Sequence, residues 1–243
     1  LTNTPSALGL GDLDGDGDLD VFAALPAVAA IELAFNDGAG MFTPGGVIDV
    51  GPPQTDMRVA AGDLDGDAHV DLAVARADSS DRVVLVGMGG VFAPGQLLAA
   101  SEPPRTITAM DLDGDGDNDL VTIGGDFDSV SVWIGDGVGG FAPEQIFVDL
   151  TDSVVSTIQN IDLDDIPELL ALPAAGAPEV LKVYRGTPNV ALLLETEIHL
   201  DAPTWTQALT GELGGAPAPA LVLLRVDGDG GLAKVWEGFD PFV

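Results

Sequence analysis

The sequence returns to the same acidic loop about every fifty residues, and this repeat constrains the fold more than any other feature. Three copies are nearly intact, and they begin at Asp12, Asp63 and Asp111. Two degenerate copies follow at Asp162 and Glu212, so that successive spacings are 51, 48, 51 and 50 residues. Repeats of this length are typical of β-propellers and solenoids, in which each repeat is one supersecondary unit.

Each repeat contains four short apolar segments separated by turns. In the first repeat they lie at about residues 7–11, 19–25, 31–35 and 47–50. Val, Ile, Thr and Leu in short runs bounded by Gly and Pro favour strands, and no segment keeps the period of an amphipathic helix. Four strands per repeat is the content of a propeller blade. We therefore predict an all-β fold, a β-propeller of five four-stranded blades.

The predicted blades form a single domain over residues 1–243, with a hydrophobic fraction of 46% to supply its core. Two arrangements stay open, because the five repeats could close on themselves or could be a window within a larger ring. We favour the five-bladed unit. The approximate blade bounds are 5–52, 53–103, 104–152, 153–202 and 203–243, with residues 1–4 as a candidate completion of the last strand.

A glycine-rich turn ending in phenylalanine precedes the fourth strand of the first three repeats, at residues 36–42, 87–94 and 135–143. Together with Asp-x-Asp-x-Asp-Gly-x-x-Asp in the acidic loops, this turn resembles the FG-GAP, or VCBS-type, repeat family. Blades of that family occur in integrin α-subunit propellers, bacterial surface proteins and some lectins. The resemblance covers the whole chain and implies a propeller. It says little about function, because one fold carries many activities.

The acidic loops predict about three structural calcium sites. Ca²⁺ takes about six to eight oxygen ligands, and a loop that alternates Asp with small residues turns successive carboxylates toward one point. The family pattern places ligands at loop positions one, three, five, seven and nine, the seventh through its backbone carbonyl. Carried onto the intact loops, the predicted ligands are Asp12, Asp14, Asp16, Asp18 and Asp20; Asp63, Asp65, Asp67, His69 and Asp71; and Asp111, Asp113, Asp115, Asp117 and Asp119.

The second, fourth and fifth loops depart from this pattern. Ala68 replaces the glycine at the bend of the second loop, which predicts local strain. The fourth loop is two residues shorter between its first and last acid, and it keeps Asp162, Asp164 and Glu168 as a candidate weak site. The fifth loop has only Glu212 in register, so we predict no metal there.

Charge and composition exclude several classes of partner. The chain has 40 acidic and 8 basic residues and a formal charge of -32. Nucleic acid and anionic membrane surfaces are therefore poor partners, because both require clustered Lys and Arg. The uncharged stretch 83–100 contains Gly and Pro, so it predicts two strands around a turn and no membrane insertion.

The loops and the cysteine count bear on the cellular setting. Cys is absent, which excludes disulfides and thiolate metal sites. Calcium loops of this kind indicate an extracellular or cell-surface setting, where the ion is abundant. No leader peptide stands at the start of the sequence, and we expect it to have been removed.

Aromatic and cationic residues provide the candidate ligand-binding positions. Trp133, Tyr184 and Trp236 occupy the same place in the third strand of their repeats, where packing between blades is the favoured interpretation and a platform for sugar rings the alternative. Trp205 lies outside that register, and Arg105 follows two prolines at a blade junction. Both are candidates for contact with a ligand.

These features favour a binding or adhesion module that recognises carbohydrate or protein. No catalytic residue is predicted: the two histidines are His69, inside a metal loop, and His199, at the end of an apolar strand. The sequence contains no nucleophile elbow, phosphate loop or dinucleotide fingerprint. Two alternatives stay open, an architectural segment of a large surface protein and a polysaccharide-degrading enzyme.

Overall fold

The structure, a computed structural model, is all-β throughout the residues that it describes. These are residues 3–79, 81–124, 129–147, 153–159, 166–173, 180–185, 193–199, 207–211, 220–227 and 230–236. Within these ranges a single 3-10 turn, Pro26–Val28, interrupts the succession of strands. The strands form antiparallel sheets, and in each sheet they stand side by side in chain order.

Sheets 1 to 3 contain four strands each. Sheet 1 consists of β1 (Ala7–Gly11), β2 (Asp20–Leu25), β3 (Ala30–Asn36) and β4 (Phe42–Asp49). Sheet 2 consists of β5 (Met57–Gly62), β6 (Asp71–Arg76), β7 (Asp81–Gly87) and β8 (Phe92–Ala99). Sheet 3 consists of β9 (Pro104–Met110), β10 (Asp119–Gly124), β11 (Val130–Trp133) and β12 (Gln145–Phe147).

Sheets 4 and 5 follow the same order, with four strands and three strands respectively in the described ranges. Sheet 4 consists of β13 (Ser153–Gln159), β14 (Glu168–Pro173), β15 (Val180–Arg185) and β16 (Leu193–His199). Sheet 5 consists of β17 (Gln207–Gly211), β18 (Ala220–Asp227) and β19 (Gly230–Trp236). The all-β prediction is confirmed, whereas the number of blades in a closed propeller stays a prediction.

The fourth strand of the first repeat begins earlier than predicted. It was expected near residue 47 and starts at Phe42. A register shift between Leu33 and Ala34 allows β3 to keep pairing with β4 through Pro44 and Gly46. Pro is tolerated there because β4 is an edge strand, which needs no donor on its open side.

The chain divides into two compact units. The first contains sheets 1 and 2 and nearly all of sheet 3, and it comprises Leu1–Met110, Gly116–Asp126 and Val130–Ile146. The second contains sheets 4 and 5, and it comprises Asp111–Asp115, Phe127–Ser129 and Phe147–Val243. The third acidic loop therefore contributes residues to both units.

Two apolar clusters form the core of the first unit. One joins sheets 1 and 2 through side chains such as Phe22, Ile31 and Leu72, and the other joins sheets 2 and 3 around Trp133. Successive side chains of a strand point to opposite faces of its sheet. The apolar residues on one face can therefore pack against the neighbouring sheet. Gly9 leaves room for the buried Phe22 ring, which occupies the space that a Cβ at this position would take.

All five repeats share one pairing register at the ends of the acidic loop. The last residue of the first strand lies opposite the first residue of the second strand in each sheet. These pairs are Gly11–Asp20, Gly62–Asp71, Met110–Asp119, Gln159–Glu168 and Gly211–Ala220. The loop is therefore a hairpin connection whose two ends are fixed by strand pairing.

Candidate metal centres

Three groups of carboxylates lie in the three intact loops. In each group, one oxygen from each of three residues lies within 4.8 Å of the others. Two ligands of one Ca²⁺ at about 2.3–2.6 Å from the ion can be up to about 5 Å apart, so this separation fits the ion. A donor set made only of carboxylate oxygens also suits a hard cation. The groups are Asp12, Asp14 and Asp20; Asp63, Asp65 and Asp71; and Asp111, Asp113 and Asp115.

The first acid of each loop organises the loop backbone. The Asp12 carboxylate accepts hydrogen bonds from the N–H groups of Gly15 (2.8 Å) and Gly17 (3.0 Å). Asp63 accepts the equivalent bonds from Gly66 (2.7 Å) and Ala68 (2.9 Å). Short-range bonds of this kind hold successive carboxylates on the inner side of a tight loop. The first two loops therefore have the same conformation.

The last acid of the loop is bound in a different way. Asp71 is fully buried, and its two oxygens accept the N–H groups of Gly87 (2.6 Å) and Leu64 (2.7 Å). Asp20 likewise accepts from Asn36 and Leu13, both at 2.8 Å. In the third loop Asp119 is fully buried and accepts from Gly135 at 2.9 Å. This acid ties the second strand to the glycine-rich turn after the third strand.

The bend predicted at loop position six has positive φ in all three intact loops. Its φ is 92° at Gly17, 68° at Ala68 and 98° at Gly116. A residue with a Cβ is disfavoured in this region by roughly 1–2 kcal/mol. Ala68 therefore adopts the strained conformation that its substitution for glycine predicts.

The glycine-rich turn of one repeat supports the acidic loop of the repeat before it. The Gly90 N–H donates to the Leu13 carbonyl at 2.7 Å, and a Cβ on Gly90 would lie 3.2 Å from the Asp14 Cβ. The next repeat has the same arrangement, because a Cβ on Gly139 would lie 3.2 Å from the Asp65 Cβ. Glycines at these places allow the close approach of turn and loop.

Burial and repulsion from neighbouring carboxylates raise the pKa of at least one acid in each group. The pKa of Asp14 is raised by desolvation and by the neighbouring carboxylates of Asp16 and Asp20. Desolvation, with further contributions from nearby acids, also raises the pKa values of Asp65 and Asp113. A bound cation would offset both effects, because it favours the ionised form of each ligand.

Several predicted ligands lie in the loops but outside these groups. Asp16 and Asp67 accept hydrogen bonds from Asp18 N–H (2.9 Å) and His69 N–H (2.8 Å) respectively. The His69 imidazole lies beside Gly15 of the preceding loop. Asp117 lies against Gly137 of its own turn. A ligand role for these residues stays a prediction.

Of the remaining predicted metal and ligand-binding residues, some lie within the described ranges and others do not. Asp162, Asp164 and Trp205 lie outside the described residues. Glu168 is fully buried at the start of β14, in the register position that Asp71 occupies in sheet 2. Arg105 is exposed on β9, and its carbonyl accepts a hydrogen bond from Arg58 at 3.0 Å.

The aromatic register is confirmed. Trp133, Tyr184 and Trp236 lie opposite the second residue of the second strand in their sheets. Trp133 is only 1% exposed and belongs to the cluster between sheets 2 and 3, where Arg82 stands 5.7 Å from its ring. For Trp133 the structure therefore supports the first interpretation, packing between sheets, and not the alternative of an open platform for sugars.

Comparison with known proteins supports the repeat and the fold. The FG-GAP-like repeat family matches residues 12–74, which include the first two acidic loops. No curated protein matches the chain. The predicted resemblance is thus confirmed over this segment.

Solved structures similar to this chain include β-propeller proteins of distant sequence. The WD40 domain of SCAP from fission yeast has a TM-score of 0.62 and 13% identity, with 96% of this chain and 52% of that chain covered. BBS1N in complex with ARL6DN has a TM-score of 0.58 and 14% identity, with 93% and 65% covered. A Photorhabdus luminescens Tc holotoxin pore chain has a TM-score of 0.57 and 15% identity, with 96% and 11% covered.

These similarities establish the fold alone. The chain spans less than two thirds of the length of all three matched proteins, from 11% to 65%.

The structure also bears on membrane insertion. In the described ranges, no helix has the length and apolar character required to cross a bilayer.

Proposed function

We propose that this chain is an extracellular, calcium-stabilised binding module that recognises a protein or a carbohydrate through a five-bladed propeller. The observation that carries the proposal is that carboxylates converge on the same connection of three successive repeats, through loop positions one, three and nine in the first two repeats and one, three and five in the third. Groups of three carboxylates occur on the hairpin connection of three successive repeats.

The proposed role of calcium is structural. Each group lies on the connection between the first and second strands of a repeat, and the second strand begins at a buried acid, Asp20, Asp71 or Asp119. An ion there would neutralise the repulsion among the acids and stabilise the loop. We propose no catalytic role for the chain.

A protein partner has independent support from the fold. BBS1N, one of the similar structures, was crystallised in complex with another protein, ARL6DN. The abundance of acids, 40 against 8 basic residues, favours a neutral or basic partner surface over an acidic one.

Thermal unfolding in calcium and in chelator tests the metal proposal. We expect a higher midpoint in calcium, because an ion that binds only the native state stabilises it by RT ln(1 + [L]/Kd). The matched control is the triple variant Asp14→Asn, Asp65→Asn and Asp113→Asn, which should lose the shift. An unchanged wild-type midpoint would refute calcium binding.

A glycan array and a panel of peptides, each with calcium and with chelator, test the binding proposal. Saturable binding to either class, weakened by chelator, is the expected result. If neither class binds, the chain is an architectural segment. New reducing ends released from a polysaccharide would instead establish an enzyme.

A further inference from the structure

A groove of about 390 Å³ lies between the edge strand β8 and the segment that leads into β12 in the first unit. Its apolar lining includes Leu98, Trp133 and Phe141. Leu97 stands on the rim and is 60% exposed. The volume is sufficient for a few residues of an extended chain with one large side chain directed to the floor.

The main chain of β8 offers hydrogen bonds toward this groove. Within the described residues, β8 pairs on one side with β7, and it forms the edge of sheet 2. The Ala99 carbonyl accepts a hydrogen bond from Trp133 Nε1 at 3.3 Å, so it points away from β7. In an antiparallel ladder, residues two apart point their backbone groups to the same side. The N–H and C=O of Leu97 therefore face the groove.

The polar side chains in the groove are already bound within the protein. Gln96 Oε1 accepts the Phe141 N–H at 3.0 Å. Glu144 Oε2 accepts both the N–H (2.9 Å) and the hydroxyl (2.7 Å) of Ser101. Recognition of a sugar requires several such groups aimed at hydroxyls, whereas an edge strand recognises a peptide through its backbone. The groove chemistry thus favours peptide.

The charge at the groove selects among peptides. The Glu144 carboxylate lines one end. The nearby cation Arg82 is 1% exposed, and its guanidinium donates to the carbonyls of Asp81 and Glu102. Burial lowers the pKa of Arg82 to about 10, and the charge of Glu144 offsets part of that lowering. Because Arg82 is buried, the charge of Glu144 can also attract a basic side chain in the groove, whereas an acidic peptide would be repelled by the chain as a whole.

We propose that this groove binds an extended segment of a partner protein, which adds a strand to β8. One large apolar side chain of the segment lies against Leu97 and Phe141, above the buried Leu98 and Trp133, and a flanking Lys or Arg lies at Glu144. The inference rests on the proposed binding function and specifies its partner as a peptide of apolar and basic character.

Selection of a phage-displayed random heptapeptide library on the full chain tests the proposal. We expect enrichment of sequences with Leu, Phe or Trp next to Lys or Arg, and binding of an enriched synthetic peptide measured by fluorescence anisotropy. Ala142→Trp, which fills the groove, should weaken that peptide by roughly tenfold or more. Glu144→Gln should reduce the preference for Lys and Arg.

The backbone contact has a matched pair of variants. Leu97→Pro removes an N–H that faces the groove and should weaken the same peptide several-fold. Val47→Pro makes the same change at the equivalent position of β4, since Val47 pairs with Glu32 as Leu97 pairs with Val83. It should leave peptide binding unchanged. Circular dichroism shows whether each proline variant is folded. If one unfolds, the affinity of Ala142→Trp for the peptide decides whether the peptide binds in the groove.

Two results would overturn the inference. Enrichment of acidic peptides, or full binding by Ala142→Trp, would place the contact elsewhere. If no peptide is enriched but a glycan binds on the array, the groove inference fails and the binding function stands. If calcium shifts the unfolding midpoint but neither peptide nor glycan binds, both the inference and the binding function fail while the metal proposal survives.

Discussion

Each intact acidic loop has a buried end and an open end, and the two ends use carboxylates differently. At the buried end, Asp71 is fully enclosed, and its oxygens accept the N–H groups of Leu64 and Gly87. At the open end, Asp67 is exposed and accepts the N–H of His69 in its own loop. The buried Asp71 converges with Asp63 and Asp65, whereas the exposed Asp67 lies outside that group.

The acids of one loop make two contributions to stability: hydrogen bonds from the backbone to the buried acid, and the binding of a cation. The buried acid fixes backbone groups whether or not a cation is bound, because its partners are N–H groups of the protein. The converging acids, the buried one included, also repel one another until a cation arrives: desolvation and the charges of Asp16 and Asp20 raise the pKa of Asp14, and desolvation with the charges of Asp65 and Asp67 raises that of Asp71. The predictions below test this division.

The largest expected effect is at the buried end. Asp71→Ala in chelator should lower the free energy of unfolding by about 2–5 kcal/mol, because two buried N–H groups lose their acceptor. Chemical denaturation measures the change. Asp67→Ala is the matched control from the same loop and should cost less than about 1 kcal/mol. Equal losses from the two variants would remove the distinction between the two ends.

The next effect concerns the ion. Asp65→Asn should remove one site's share of the calcium stabilisation, about 2.7 kcal/mol when calcium is 100-fold above Kd. In chelator the same variant should be as stable as the wild type or slightly more stable, because a repelling charge is gone. Unfolding curves in both conditions give the two values. A large loss in chelator would assign Asp65 to the structural end of the loop.

A smaller effect is expected at the bend. Ala68→Gly should stabilise the chain by about 1 kcal/mol, since φ is 68° at this position. Gly17→Ala is the reciprocal change in the first loop, where an added Cβ would meet nothing within 4 Å, and it should destabilise by a similar amount. Changes of the same sign would show that the two loops differ in conformation.

The smallest effect is a pH dependence of opposite sign with and without calcium. Asp14, Asp65 and Asp113 have folded pKa values above their ordinary 3.8, so in chelator the native state binds more protons than the unfolded state. Stability in chelator should therefore fall as the pH rises from 3.8 through these raised pKa values. In calcium it should rise, because protons compete with the ion. Thermal midpoints across this range measure both slopes.

A control separates the loops from the overall negative charge, which also favours acid conditions in chelator. The triple variant with Asn at positions 14, 65 and 113 keeps most of that charge but removes one acid with a raised pKa from each group. Its slope in chelator should be flatter than that of the wild type. An identical slope would attribute the dependence to the net charge alone.

Local patterns predicted much of the fold because they act over short distances. The bounds of β1 coincide with the predicted segment 7–11, those of β2 differ from prediction by one residue at the start, and those of β3 by one residue at each end. The start of β4 was missed, since the register shift that extends it depends on pairing with β3.

The candidate sites were predictable in part for the same reason. The spacing of Asp12 and Asp14 within one loop placed both in a cluster with Asp20. The contact of Gly90 with Leu13 was not predictable, because the two residues are far apart in sequence and meet only after sheets 1 and 2 pack. The groove at β8 likewise exists only once two repeats are side by side.

The sequence by itself determined the repeat, the strands and the places where acids concentrate, because alternation, turn residues and ligand spacing operate within a few residues. The tertiary structure alone decided which acid of each loop is buried, which turn supports which loop, and where a strand edge stays open. Those outcomes depend on packing between repeats about fifty residues apart, and burial is a property of that packing. The chemistry of a carboxylate is the same at Asp71 and Asp67; its surroundings give it a different role.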